Sequence, residues 1–156
     1  VPVAEHGIGG GAGGRDLNIG DLDGDGRVDV IIHDGTVGGY DGADNTRIYV
    51  NRVASKNYWI GLNVVRGPNA TPAIGARALV YQAGTQTIVG SDEVRTDFCY
   101  RSKRPPILHF GLGTVDRVDV RVTMPGGQPT LFEGLAANQL HAISVPPAAE
   151  RSATGP

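Results

Sequence analysis

Four aspartates fall within residues 21–29: Asp21, Asp23, Asp25 and Asp29, in the pattern D-x-D-x-D-G-x-x-D with Gly24 and Gly26 between them. Carboxylates at alternate positions of a tight loop supply the hard oxygens that Ca2+ takes in sets of about six to eight at about 2.3–2.6 Å, and a glycine permits the sharp turn. The spacing predicts Ca2+ bound by the side chains of Asp21, Asp23 and Asp25, the backbone carbonyl of Arg27, and Asp29 at the ninth position. An EF-hand requires a glutamate at the twelfth position and flanking helices. Ile32 stands there instead, in a β-branched run with Val28, Val30 and Ile31, so the loop joins two strands.

Other candidate groups carry less chemistry. Asp34, Asp41 and Asp44 lie in a second Gly-rich loop at no standard ligand spacing. They either lend a remote ligand or a second weak site, or they are turn residues satisfying local backbone N–H groups. The run from Gly9 to Gly14 matches G-x-G-x-x-G in letters but lacks the preceding strand and following helix that dinucleotide binding needs. His6, His33, His109 and His141 show no paired metal spacing, and no G-x-S-x-G occurs. His109 and His141 fall in strand patterns and read as packed or edge residues. Cys99 is the single cysteine, which rules out an intrachain disulfide and a zinc site built on several thiolates, and it reads as a small buried hydrophobe. The basic cluster Arg95, Arg101, Lys103 and Arg104 reads as a solvated loop or a partner-facing patch. Asn69-Ala70-Thr71 is an N-glycosylation sequon.

The elements that must position the loop follow from composition. Of 156 residues, 24 are glycine and 10 proline, while 40% are hydrophobic, so the chain can build a core but turns too often for long helices. Net charge is −2, giving no electrostatic reason to bind nucleic acid or an anionic membrane. The charge is split: residues 1–45 carry nine acids against two bases, a net −7, and the remainder is net +5. No apolar run is long enough to span a bilayer as a helix. The chain opens on Val1, as a processed mature chain or an excised fragment does.

Along the chain, 1–14 reads as a Gly-rich arm and 15–56 as strand, calcium loop, strand, second loop and a further strand at 47–50. From residue 57 to 145 short β signals follow one another: 58–65, 76–82 and 85–89 as a hairpin around Ala83-Gly84, 107–111, 117–124, 130–132 and 139–145. Residues 146–156 read as a disordered tail. The expected fold is all-β, a sandwich or barrel preceded by a calcium-binding hairpin.

Within that β-rich region stand N-Y-W-I-G-L (57–62), I-G-A-R (74–77), L-H-F-G-L-G (108–113), V-D-V-R-V (118–122) with the P-G-G turn at 125–127, and A-N-Q (137–139). Together they resemble the ASPIC/UnbV domain of cartilage acidic protein-like secreted proteins. The preceding loop resembles the calcium loops of FG-GAP and VCBS β-propeller repeats, which in that family precede the domain. The resemblance implies a β-sandwich-like domain after a single propeller-blade-like repeat. It implies an extracellular, cell-surface or periplasmic setting and a calcium-binding structural or interaction module rather than an enzyme. One blade cannot bury its own faces, so the expected partner is a protein: a second copy or a larger assembly. Two other classes are carried beside it. An enzyme or accessory protein of secondary metabolism would show a deep pocket lined by His33, Tyr40 and Asp41 beside the ion, and a carbohydrate-binding module would show exposed aromatics on one sheet face.

Overall fold

The computed structural model describes residues 14–34, 45–67, 69–96 and 103–146. Residues 1–13 of the Gly-rich arm, Asp41 and Asp44 of the second acidic loop, Cys99 and the tail from 147 onward lie outside the described residues. Every described element is a strand, and no described helix is long and apolar enough to cross a membrane.

Two compact units divide the chain: Val1–Ala54 with Thr96–Arg104, and Ser55–Arg95 with Pro105–Pro156. The first contains one antiparallel sheet of β1 (Gly14–Gly20), β2 (Asp29–Asp34) and β3 (Asn45–Tyr49) in that order. Residues directly opposite in such a ladder share a face. Leu17, Ile32 and Arg47 therefore form one row, and Ile19, Val30 and Tyr49 the next. Lys103 and Arg104 belong to this unit, where the Asn18 amide donates to the Lys103 carbonyl at 3.0 Å and the Arg104 N–H to the Thr96 carbonyl at 3.1 Å. Part of the basic cluster is thus recruited to the acidic N-terminal unit.

The second unit has two sheets. One runs β10 (Pro129–Ala136), β9 (Arg117–Thr123), β6 (Arg77–Gln82), β7 (Ile88–Glu93). The other centres on β4 (Tyr58–Arg66), flanked by β11 (Gln139–Val145) on one side and by β8 (Ile107–Gly113) and the two-residue β5 (Thr71–Pro72) on the other. Strict alternation decides which side chains meet between them. Ile60, Leu62 and Val64 of β4, Leu108, Phe110 and Leu112 of β8, and Val118, Val120 and Val122 of β9 all enter one buried cluster with Ala78, Val80, Ile143 and Val145. Gly90 of β7 faces Phe110: a Cβ there would sit 2.7 Å from the Phe110 ring, so a larger residue would force that aromatic to shift.

Two details depart from the sequence expectation, and one pairing goes beyond it. Residues 85–87 of the expected strand 85–89 lie outside it, because the Thr85 hydroxyl donates to the Gln82 carbonyl and accepts from the Thr87 N–H, taking this stretch out of the ladder. Strand β7 begins at Ile88. Strand β10 runs on past Phe132 to Ala136 through a bulge at Glu133-Gly134. Strand β11 pairs parallel to β4, which brings the chain's last described strand beside the unit's first.

Candidate metal centre

The loop between β1 and β2 is built around the Asp21 carboxylate. Its Oδ1 accepts the N–H groups of Gly24 at 2.8 Å and Asp25 at 3.1 Å, and its Oδ2 accepts that of Gly26 at 2.9 Å. Wrapping the backbone this tightly requires left-handed conformations at Gly24 (φ 78°) and Gly26 (φ 86°), which explains the glycines inside the acidic run. Asp29 closes the loop from the other side. Among the described residues it is the one buried charged side chain, 1% exposed, and it accepts the Leu22 N–H at 2.9 Å and the Asn51 N–H at 2.7 Å.

These contacts bring carboxylate oxygens of Asp21, Asp23 and Asp29 within 4.8 Å of one another. Two oxygens on opposite sides of one Ca2+ stand up to about 5 Å apart, twice the usual ligand distance, so the three fit a single coordination sphere. Asp25 is held differently. Its Oδ1 accepts the Arg27 N–H at 2.9 Å and its Oδ2 is ion-paired with the Arg27 guanidinium, so it stands outside that trio. Asp23 also meets Arg52 at 3.7 Å, with the Arg52 side chain 76% exposed, and such a pair contributes little.

The residue that sequence reasoning missed is Asn51. Its N–H goes to Asp29, its carbonyl accepts Arg27 Nε at 2.7 Å, its side-chain amide reaches the Val28 carbonyl at 3.3 Å, and its Oδ1 accepts the Val53 N–H at 3.1 Å. An asparagine after a strand carries no such signal by itself; only the β2–β3 pairing puts it beside the loop. His33, next to the loop in sequence, is bonded through Nδ1 to the Thr46 hydroxyl at 3.2 Å, and Tyr40 and Asp41 lie outside the described residues.

In the second unit the histidines are packing residues. His109 stacks on Trp59 with centroids 5.4 Å apart, and His141 Nε2 lies 2.8 Å from the Ala136 carbonyl. Asn69 of the sequon is exposed.

The family model described as ASPIC and UnbV matches residues 66–150, more than half of the 156. The chain belongs to the ASPIC/UnbV family. No curated protein matches it as a relative. The structure gives the ASPIC/UnbV motifs physical roles. In L-H-F-G-L-G, Leu108, Phe110 and Leu112 point into the core while His109 takes the opposite face against Trp59. In I-G-A-R, Ala76 is buried and its carbonyl accepts the Val94 N–H at 2.8 Å, while the Val94 carbonyl accepts the Gly75 N–H at 2.8 Å. In A-N-Q, Asn138 adopts a left-handed φ of 59° that asparagine tolerates, donates its N–H to the Trp59 carbonyl and accepts the Trp59 N–H on Oδ1.

Proposed function

We propose that this ASPIC/UnbV protein is an extracytoplasmic calcium-binding interaction module, a subunit of a larger assembly that acts by binding rather than by turnover. Its loop takes Ca2+ through Asp21, Asp23, Asp25, the Arg27 carbonyl and Asp29, in the manner of the FG-GAP and VCBS loops it resembles. The observation that carries this reading is the gathering of three carboxylates within 4.8 Å on a loop braced by five backbone N–H groups. Like charges held this close repel unless a cation neutralises them, and a hard divalent ion suits an all-oxygen set. Asp25 enters the shell by exchanging the Arg27 guanidinium for the ion. Support for an interaction role comes from the N-terminal sheet, whose Leu17, Ile19 and Ile48 remain more than a third exposed.

Calorimetric titration of the full chain with Ca2+ tests the reading. Saturable binding to one site, abolished in Asp21→Ala and in Asp23→Ala/Asp25→Ala, is the expected result. No heat and no change in melting temperature between Ca2+ and chelator would remove calcium from the proposal.

A further inference from the structure

The outward face of the β10-β9-β6-β7 sheet carries a group of side chains that neither the core nor the metal loop uses. While Val118, Val120 and Val122 point inward, Asp119 and Arg121 alternate outward from the same strand. Register places Tyr81 beside Asp119 and Leu131 beside Arg121, and Ile88 beside Tyr81. The Arg121 guanidinium lies over the Tyr81 ring, 5.3 Å from its centroid. An open groove of about 320 Å3 runs past them, bounded by Asp119, Leu131 and Glu133. Leu131 and Ile88 are 55% and 57% exposed. Among the described residues, neither Arg121 nor Glu133 has an ion-pair partner, although both line the same groove.

We infer that this face binds a second copy of the chain, in an isologous dimer that sets Arg121 of each subunit against the partner's Asp119. The proposal deepens the interaction part of the functional reading and does not depend on the calcium part.

Charge complementarity selects the occupant. Asp119 and Arg121 are two residues apart on one strand, so opposite charges stand about 7 Å apart on the same face. A two-fold axis that lays an identical strand antiparallel across β9 superposes plus on minus twice in a single operation, as an isologous contact requires. A partner of one charge sign would set a like charge against either Arg121 or Asp119. Composition agrees: an arginine with apolar side chains nearby is what protein contacts favour, exposed Leu131 and Ile88 gain cover, and Tyr81, 8% exposed, is the platform under Arg121. Asp119 is already fixed for the task, since Gly84 and Gly134 each donate a backbone N–H to it at 2.8 Å.

Sedimentation of the full chain across a range of protein concentration, in Ca2+ and in chelator, tests this. The expected result is a monomer–dimer equilibrium of equal strength in both conditions. Arg121→Glu should weaken it by at least about tenfold by facing carboxylate with carboxylate. Leu131→Asp should weaken it as well, whereas Leu140→Asp, at a similarly exposed position on the other sheet, should leave it unchanged. A monomer at every concentration overturns the proposal, and so does a dimer that survives both Arg121→Glu and Leu131→Asp, or one that forms only with Ca2+. Calorimetry with Ca2+ on Arg121→Glu separates the two readings, because metal binding should persist there whether or not the dimer does.

Discussion

The two units reach order by opposite means. Every member of the buried apolar cluster lies in the second unit, where two sheets exclude water from between them. The N-terminal sheet has Asp29 as its one buried residue among those described, and keeps Leu22, Ile48 and Val53 half exposed or more. It is shaped by backbone N–H groups donated to Asp21 and Asp29 and by the Arg27–Asn51 contact. A fold driven by burial scales with apolar area and is indifferent to ions. One organised around carboxylates depends on what neutralises them. The contrast therefore predicts which perturbation each unit feels.

The largest effect belongs to the apolar core. Leu108→Ala removes a 1%-exposed side chain from the centre of the cluster and should cost about 2–5 kcal/mol, and Phe110→Ala about 3–5 kcal/mol. Urea unfolding followed by Trp59 fluorescence reads this unit directly. The comparison breaks if either loss is below about 1 kcal/mol, since the domain would then not rest on that cluster.

Calcium should act on the other unit. With free Ca2+ about a hundredfold above its dissociation constant, linkage adds about 2.7 kcal/mol to whatever the bound site holds together. Amide hydrogen exchange should slow in β1–β3 on adding Ca2+ while β4, β8 and β9 stay unchanged, and Asp23→Ala/Asp25→Ala should erase the difference. Equal slowing in both units would show that one cooperative structure responds, and the contrast would fail.

A smaller effect sharpens the picture at Asn51. Asn51→Ala keeps the backbone contacts to Asp29 and Arg27 but deletes the side-chain bonds to Val28 and Val53, each worth about 0.5–1.5 kcal/mol. Exchange at Leu22 and Val53 should quicken while the Trp59 unfolding curve does not move. A shift in that curve would mean that the first unit's contacts also support the second.

Legibility in the sequence followed the same division. Alternation exposed the core strands because the period of two is a local property: V-D-V-R-V announces Val118, Val120 and Val122 as one face without knowing the partner strand. The aspartate spacing likewise announced the loop, and Asp21, Asp23 and Asp29 converge in the structure. What stayed hidden depends on distant residues or on competition. The parallel pairing of β11 with β4 joins positions about 80 residues apart, and nothing local encodes it. Residues 85–87 looked like the start of a strand that begins only at Ile88, because the Thr85 hydroxyl's alternative, a turn bond to Gln82, is invisible to a pattern of residue types. The ion pair of Asp25 with the Arg27 guanidinium, two residues on, was not announced by the aspartate spacing either. Grouping of Thr96–Arg104 with the N-terminal unit was not readable either, since the segment leaves one unit in sequence and joins the other in space.

The smallest effect tests whether charge matters at all in the burial-driven unit. Asp119 is exposed, and the N–H groups of Gly134 and Gly84 hold its carboxyl below its ordinary value of 3.8. A carboxylate whose folded pKa is depressed contributes its stability fully above the unfolded pKa and loses it as pH falls through the folded one. The contribution should therefore be present at neutral pH and fade only below about pH 4. Asp119→Asn keeps the shape but offers one acceptor oxygen where two N–H groups point, so one of the two bonds is lost at every pH. Urea midpoints for both proteins from neutral pH down through the acid limb should differ at neutral pH and converge as Asp119 protonates. A gap that stays constant with pH would assign the loss to hydrogen-bond geometry rather than charge. In that event the second unit would owe nothing to the ionisation of Asp119, and the contrast with the aspartate-built loop would be sharper still.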